Sequence, residues 1–210
     1  MTINPIRQTL FWSSIRATPF LVLFYTLILS ISYPNLRNLL FLLSYCINFV
    51  INGVSKIGFK FIYNQLNIDK LPILGFGSRP PGATNCATFL KWPNTPAITF
   101  GMPSGHSQHA WFFATFIILE LCRYYKLHTN SNSTDNLNTH NNIYFTDNII
   151  TKHPIIIVIL SLLLIAFASL VSYSRISIDK CHTIQQVIVG AIIGIGLAFL
   201  SHWTISIILK

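Results

Sequence analysis

Long apolar runs separated by short polar segments dominate the pattern along the chain. Five runs approach the roughly 20 residues that a membrane-spanning helix needs, and they cover Thr18 to Leu36, Asn38 to Ser55, Gly105 to Cys122, Pro154 to Ser174 and Thr183 to Leu209. Pro34 predicts that the first helix ends near Tyr33, and the second is free to continue past Lys56 and Lys60. The pattern predicts an all-α, polytopic membrane bundle of about five transmembrane helices, in one domain over residues 1–210.

Two connections between the apolar runs are long and differ in composition. Residues 65–104 are rich in proline and glycine, which predicts a structured loop or short helices rather than a span. Residues 126–153 are rich in asparagine, serine and threonine and predict a disordered polar loop.

Counting the crossings places the unusual polar residues on one side of the membrane. No span separates Arg79 from His106, and the third and fourth helices lead away from that face and back to it at Arg175 and His182. Lys56 and Lys60 arrive at the same face. The opposite face holds other basic residues and is expected to be cytosolic: these are Arg37, Arg123, Lys126, Lys152 and Lys210.

Composition agrees with a membrane protein and narrows its partners. The chain has 210 residues, of which 52% are hydrophobic and 9% charged, against about 25% charged in soluble proteins. The formal net charge is +9, but the basic residues are scattered without a basic stripe. They favour an anionic lipid or a phosphate over nucleic acid. Residues 1–16 lack the pattern of a cleavable signal peptide, so we expect the first apolar run to be a permanent helix.

Three polar islands carry residues suited to phosphoryl transfer, which needs a nucleophile, a proton donor and cations around the phosphate oxygens. Pro103-Ser104-Gly105-His106 opens a helix whose free N–H groups attract an anion. Arg79 precedes two prolines that stiffen the chain, and Ser174-Arg175 is followed by His182. Each island alone is also compatible with an ordinary helix start or an interfacial arginine. Their joint occurrence on one face favours an active site.

These residues carry a resemblance to the type-2 phosphatidic acid phosphatase superfamily, whose motifs are Lys-x6-Arg-Pro, Pro-Ser-Gly-His and Ser-Arg-x5-His-x3-Asp. The segment Gly101–Gln108, with Trp111-Phe112-Phe113, is similar to the second motif of the dolichyl-diphosphatase branch. Leu170–Arg175 and His182–Val187 are similar to its third motif, including Gln186 where most of the superfamily has aspartate. The resemblance covers about residues 35–200 and implies a PAP2/haloperoxidase-like helical core.

The resemblance also implies a role for each site residue. His182 would be the nucleophile that forms a phosphohistidine, and His106 would protonate the leaving oxygen. Arg79 and Arg175 would hold the phosphate, together with Ser104 and the N–H of Gly105. Gln186 would accept the ring N–H of His182 and fix its tautomer. The family needs no metal or other cofactor, and the few acidic residues form no convincing carboxylate cluster.

Two motifs depart from the family spacing. Six residues, rather than five, separate Arg175 from His182, and we expect a local loop bulge to take up the extra residue. In the first motif Lys56 matches the helical context, but 22 residues rather than six separate it from Arg79. Lys60 and Lys70 remain alternatives, and we favour Lys56.

The resulting prediction is an endoplasmic-reticulum membrane enzyme that hydrolyses a polyisoprenyl (dolichyl) diphosphate, with its active site facing the lumen. One alternative is a lipid phosphate phosphatase acting on phosphatidic acid or sphingoid phosphates. Another is a catalytically inactive membrane protein that keeps the fold and binds lipid phosphate. A disulfide between Cys86 and Cys181 is a further expectation left open by the sequence.

Overall fold

Helices account for most of the described part of the computed structural model, which comprises residues 5–83, 97, 99–131 and 154–209. The helices there are α1 (Pro5–Arg16), α2 (Thr18–Ser32), α3 (Leu36–Gln65), α4 (Gly105–Ser131), α5 (Pro154–Tyr173) and α6 (Ile184–Ile208). A hairpin of two short antiparallel strands, β1 (Lys70–Leu71) and β2 (Gly75–Phe76), follows α3. The predicted all-α membrane bundle is confirmed, with this hairpin as an unpredicted addition.

Helix α4 is the central element, since it packs against α2, α3, α5 and α6. Its closest neighbour is α6, where two glycines four residues apart face it. A Cβ atom on Gly190 would lie 2.5 Å from the carbonyl oxygen of Ser104, and one on Gly194 would collide with the carbonyl oxygen of Gln108. Small residues at this spacing allow helices to approach closely. The start of α6 is thereby held against the start of α4.

The membrane-spanning elements differ in part from the five expected spans. Within the described residues, three helical segments are long and apolar enough to cross a membrane: Leu36–Gln65, Pro154–Ile178 and Ile184–Ile208. Helix α2 has only 15 residues, and it adds a fourth span only if it is counted with the end of α1, from which it is bent by 66°. Helix α4 falls outside this set, since its first two turns are polar and its second half contains Glu120, Arg123 and Lys126. The protein is a multi-pass membrane bundle with a polar end to its central helix.

Two helices extend further than their apolar runs. Helix α3 begins at the cap residue Asn35, whose Oδ1 accepts from the N–H of Asn38 at 2.8 Å, and it continues through Lys56 and Lys60. Helix α4 ends at Ser131 rather than near Cys122, so residues 126–131 are helical and not part of a disordered loop. The rest of that predicted loop, residues 132–153, lies outside the described residues.

A π-helical turn, Ser174–Ile178, ends the fourth apolar run. The N–H of Asp179 donates to the carbonyl oxygen of Ser174, five residues earlier, at 2.8 Å. A π turn holds one residue more than an α turn, and such turns are frequent at functional sites. The stretch between Arg175 and His182 that holds the extra residue thus contains this widened turn and, after it, a loop in which Lys180 has a left-handed φ of 52°.

An ion-pair cluster surrounds Glu120 in the second half of α4. Glu120 accepts from Arg37 on α3 at 2.6 Å and from Arg123 at 2.9 Å. Nε2 of His202 on α6 lies 3.2 Å from Oε1 of Glu120, without hydrogen-bond geometry. This acidic residue in an apolar run is thus paired with cations, which is what its low-dielectric surroundings require.

Candidate active site

A cavity of about 230 Å³ opens at the polar end of α4 and collects the residues singled out in the sequence. Three apolar residues, Pro19, Phe20 and Phe49, form one side of it. Its polar lining is contributed by α3, α4, the loops and the π turn, through Asn52, Lys56, Arg79, Thr99, Gly105, His106, His109, Arg175 and His182. The structure therefore brings the predicted residues to one cavity, namely Lys56, Arg79, His106, Arg175 and His182.

The side chain of Gln186 fixes the tautomer of His182. Its Nε2 donates to two main-chain carbonyl oxygens, of Phe76 at 2.9 Å and of Ser78 at 2.7 Å. Because carbonyl oxygens only accept, the amide has one possible orientation, and its Oε1 lies 3.0 Å from Nδ1 of His182. Nδ1 therefore carries the ring proton. Nε2 keeps its lone pair and lies 3.3 Å from Nη1 of Arg79.

The surroundings of His182 keep its ring neutral. Burial lowers its pKa well below the usual 6.5, and the positive charges of Arg79, Arg175 and Lys56 lower the pKa further. The ring is 4% exposed. A neutral imidazole with an unprotonated Nε2 directed at a cationic pocket is a competent nucleophile towards phosphorus.

The first turn of α4 points its free N–H groups into the same cavity. The carbonyl oxygen of Ser104 accepts the first helical bond, from the N–H of Gln108. The N–H groups of residues 105–107 thus have no partner within the helix, which suits an anion. A Cβ atom at Gly105 would lie 2.9 Å from Oδ1 of Asn52, so a larger residue here would displace that side chain. Ser104 is fully buried and does not line the cavity.

The ring of His106 contacts the end of α1. Its Nε2 lies 2.8 Å from the carbonyl oxygen of Arg16, the last residue of α1. Since that oxygen only accepts, Nε2 of His106 carries a proton. The other ring nitrogen, Nδ1, is the one left to exchange a proton with a bound molecule.

Arg79 is anchored at the edge of the cavity through its own loop and the loop before α6. Its Nε donates to the carbonyl oxygen of Thr99 at 2.9 Å, and Nη2 donates to Oγ1 of Thr99 at 2.7 Å. Nη1 donates to the carbonyl oxygen of Cys181 at 3.1 Å. Burial lowers the pKa of Arg79 below its usual range. These bonds hold the guanidinium beside Nε2 of His182.

Arg175 is fully buried and is held by a carboxylate that the sequence analysis missed. Its Nη1 donates to Oδ2 of Asp179 at 2.6 Å, and Oδ1 of Asp179 accepts from Nε of Arg16 at 2.7 Å. One carboxylate thus orients two arginines. The spacing of four residues between Arg175 and Asp179 was the available signal, whereas nothing in the sequence pointed to Arg16.

The comparisons with known proteins agree with this geometry. The family model described as PAP2 superfamily matches residues 37–208. The chain belongs to the PAP2 superfamily. A human protein named Dolichyldiphosphatase 1 is 37% identical over 116 residues, which are 55% of this chain and 37% of that protein. The mouse protein of the same name is 38% identical over 116 residues, again 55% of this chain and 37% of its own length. No solved structure matches.

The chain therefore aligns with little more than a third of these relatives' length. The PAP2 superfamily match covers all the motif residues of this chain, because it extends from α3 through α6. It leaves out α1 and α2, although Arg16 at the end of α1 contacts both His106 and Asp179. Membership of the PAP2 superfamily thus accounts for the motif residues of the site but not for the contacts that Arg16 adds.

The structure distinguishes the three lysines considered for the first motif of the PAP2 superfamily. Lys56 lines the cavity, and its Nζ donates to the carbonyl oxygen of Phe100 at 3.0 Å. Lys60 and Lys70 are exposed, and Nζ of Lys70 lies 5.7 Å from the ring centroid of Phe76. Lys56, Arg79 and Arg175 give the cavity three cationic side chains, and no carboxylate is among its described lining residues.

A second buried histidine of α4 lines the cavity and was overlooked in the sequence. His109 follows His106 by three residues and is 3% exposed. Its ring centroid lies 3.8 Å from that of Phe49, and its Nδ1 lies 2.8 Å from Nδ2 of Asn48. The signal was its helical spacing from His106, which places the two on adjacent positions of one face.

Proposed function

We propose that this protein is an integral-membrane lipid phosphatase that hydrolyses a polyisoprenyl diphosphate, such as dolichyl diphosphate, to the monophosphate and inorganic phosphate. The observation that carries the proposal is the state of His182. Its unprotonated Nε2 lies 3.3 Å from Arg79 in a cavity that holds two further cations. A terminal phosphoryl group bound by these cations would lie in reach of the nucleophile.

In the first step Nε2 of His182 attacks the terminal phosphorus atom and forms a nitrogen–phosphorus bond. The bond from phosphorus to the bridging oxygen breaks, and its electron pair goes to that oxygen. With the anionic diphosphate bound, His106 takes up a second ring proton and gives the proton of Nδ1 to the leaving lipid monophosphate. The carbonyl oxygen of Arg16 stabilises this imidazolium through Nε2–H. Arg79, Arg175, Lys56 and the first-turn N–H groups of α4 hold the phosphoryl oxygens.

In the second step a water molecule releases the phosphate. Nδ1 of His106 takes a proton from the water as its oxygen bonds to phosphorus. The nitrogen–phosphorus bond breaks, its electron pair returns to Nε2 of His182, and inorganic phosphate leaves. Gln186 holds the Nδ1 proton of His182 throughout, and as a neutral group it leaves the charge of the phosphohistidine to the surrounding oxygens.

The diphosphate substrate is supported by the relatives' name and by the charge of the cavity. Human and mouse relatives are named Dolichyldiphosphatase 1. Three cations face the cavity of this chain without a lining carboxylate, which suits the higher charge of a diphosphate. The apolar lining residues Pro19, Phe20 and Phe49 suit contact with the lipid chain.

We also propose that the site faces the lumen of the endoplasmic reticulum. Cys181, the residue before His182, is disulfide-bonded, whereas Cys46 and Cys122 are free cysteines. Disulfides persist in oxidising compartments and are rare in the cytosol. The expected partner, Cys86, lies outside the described residues. A bond at Cys181 therefore supports a lumenal active-site end.

Side-by-side assays of the purified full chain test the substrate. Phosphate release is measured from dolichyl diphosphate and phosphatidic acid in the same detergent, with His182→Ala protein as the blank. We expect kcat/KM to favour the diphosphate at least tenfold, which corresponds to about 1.4 kcal/mol. A ratio near one, or one in favour of phosphatidic acid, contradicts the proposed substrate. No release from either lipid contradicts the phosphatase itself.

A further inference from the structure

The mechanism above leaves one polar group of the cavity unused, the imidazole of His109. His109 is only 3% exposed. Its ring centroid lies 3.8 Å from that of Phe49 and 5.5 Å from that of Tyr45. A buried imidazole in aromatic surroundings is costly unless both nitrogens have partners. Only Nδ1 has a hydrogen-bond partner within the described part of the chain, and that partner is Asn48.

A chain of hydrogen bonds beneath the cavity determines where the proton of this ring lies. Nε2 of Gln108 lies 3.2 Å from the main-chain oxygen of Asn48 and 2.7 Å from Oδ1 of Asn48. Because the main-chain oxygen only accepts, the amide of Gln108 has its NH₂ on this side. Its Oε1 then accepts from Nδ2 of Asn52 at 2.8 Å, which agrees with that orientation.

The orientation of Gln108 in turn fixes Asn48 and His109. Oδ1 of Asn48 accepts from Gln108, so Nδ2 of Asn48 is the group 2.8 Å from Nδ1 of His109. An NH₂ group only donates, so Nδ1 of His109 is the acceptor and carries no proton. The neutral ring therefore has its proton on Nε2. This is the opposite tautomer to that of His182, and it makes His109 a hydrogen-bond donor.

The donor nitrogen is on the ring edge away from Asn48, and His109 lines the cavity. His109 lies about 4.5 Å further along α4 than His106, away from the polar end of the helix. Because His182 and His109 line the same cavity, a diphosphate whose terminal group contacts His182 can place its lipid-linked phosphate beside His109 as its chain enters the bilayer. A lipid monophosphate has no second phosphate to present there.

We propose that Nε2–H of His109 donates a hydrogen bond to the lipid-linked phosphate of a diphosphate substrate and so selects diphosphates over monophosphates. The inference rests on the proposed function and adds a specificity-determining residue to it. The donor is set by Asn48 and Gln108 before substrate binds, so no ring reorientation is needed on binding.

Two variants of this 210-residue chain test this donor. His109→Phe keeps a ring beside Phe49 but has no donor. His109→Gln retains an acceptor for Asn48 and an NH₂ group for the cavity, so it serves as the conservative rescue. His202→Gln, at the opposite end of the bundle, is the matched control for removing a histidine. For each protein, competitive inhibition constants are measured for inorganic diphosphate and for orthophosphate, together with kcat/KM for dolichyl diphosphate and phosphatidic acid.

We expect His109→Phe to raise the inhibition constant of diphosphate about tenfold or more, the usual effect of losing a hydrogen bond to a charged group. Its inhibition constant for orthophosphate and its kcat/KM for phosphatidic acid should stay within about twofold, and His109→Gln should recover most of the loss. Equal effects on diphosphate and orthophosphate, or none on either, overturn the inference.

The wild-type protein separates this inference from the proposed function. A wild-type preference for dolichyl diphosphate that is unchanged in His109→Phe protein overturns the role of His109 and leaves the proposed function intact. A wild-type protein without that preference overturns the proposed substrate and the inference together. Unchanged orthophosphate inhibition in His109→Phe protein shows that the variant is folded around an intact terminal-phosphate site.

Discussion

His182 and His109 face the same cavity with opposite tautomers. Gln186 accepts the Nδ1 proton of His182 at 3.0 Å, whereas Asn48 donates to Nδ1 of His109 at 2.8 Å. One ring therefore presents a lone pair and the other a proton, although both are buried imidazoles. The difference arises from side-chain amides whose orientation is set by main-chain carbonyl oxygens, so it is built into the fold before any ligand binds.

Removal of either reacting histidine should abolish turnover. We expect His182→Ala and His106→Ala each to lower kcat by about three orders of magnitude or more, because nucleophile and proton donor act as a unit. Phosphate release in detergent, with thermal unfolding to verify the fold, is the measurement. Near-normal turnover in folded His182→Ala protein would eliminate this histidine as the nucleophile.

Gln186 should matter for both rate and stability. Gln186→Leu leaves the carbonyl oxygens of Phe76 and Ser78, and Nδ1 of His182, without their partner. Each unsatisfied buried group costs about 1–3 kcal/mol. We expect a lower unfolding temperature and a fall in kcat larger than any change in KM. Gln185→Leu, at the neighbouring exposed position, is the control and should change neither.

The depressed pKa of His182 predicts the acid side of the pH profile. Above that pKa the ring is neutral, so lowering the pH through 6.5 should not by itself protonate the nucleophile. The acid limb of kcat/KM, which reports the free enzyme, should therefore lie well below pH 6.5. In Arg79→Gln protein a positive charge beside the ring is lost, the pKa rises, and the limb should move to higher pH. A limb that stays in place contradicts this electrostatic account.

The same depressed pKa has a consequence for folding. An unfolded chain binds a proton at this histidine below pH 6.5 while the folded protein does not. The contribution of neutral His182 to the free energy of unfolding is thus fully present above pH 6.5. That free energy should fall as the pH is lowered from 6.5 towards the pKa of His182 in the folded protein. Urea titrations in detergent at several pH values measure it. His182→Phe protein should show a weaker pH dependence.

Activity should survive chelation and respond to a phosphate mimic. The described lining of the cavity has three cations and no carboxylate, an arrangement suited to binding the phosphate through side chains. We expect full turnover in EDTA and inhibition by vanadate. Arg175→Ala should abolish turnover and weaken vanadate binding, measured by calorimetric titration. Loss of turnover in EDTA that magnesium restores is the contrary result.

The segment around Asn132 should face the cytosol. Asn132-Ser133-Thr134 is a glycosylation acceptor, and crossing parity places it opposite the cavity. We expect it to stay unmodified in a eukaryotic membrane, although the residues themselves lie outside the described part of the chain. Comparison of the native and Asn132→Gln proteins before and after glycosidase treatment measures this. A glycosidase-sensitive mass shift in the native protein alone inverts the proposed orientation.

Hydropathy and local motifs were enough to predict the bundle and the meeting of Arg79, His106, Arg175 and His182. Crossing parity alone places these residues on one side, and the structure brings them to one cavity. The hydrogen-bond partners were less accessible, because Arg16 reaches His106 and Asp179 only through the 66° bend between α1 and α2. Bends and long-range carbonyl contacts leave no periodic signal in a sequence.

The chain of hydrogen bonds through Asn48, Asn52 and Gln108 was missed for a related reason. Asn48 and Asn52 lie in the apolar run of α3, and Gln108 lies in the polar first turns of α4, so hydropathy does not connect them. They become a connected set only once α3 and α4 are packed, with distances of 2.7–2.8 Å between side chains. The hydrogen bonds of such residues depend on how the helices pack, and their positions in the sequence do not predict that packing.

The π turn at Ser174–Ile178 loosens the link between motif spacing and catalytic geometry. In a regular α-helix one inserted residue rotates everything that follows by about 100°. Here the π turn and the loop after it hold the extra residue before α6 begins, so Gln186, Gly190 and Gly194 still face their partners. An arginine and a histidine can thus line one cavity at more than one sequence spacing. The extra residue is therefore compatible with the proposed activity.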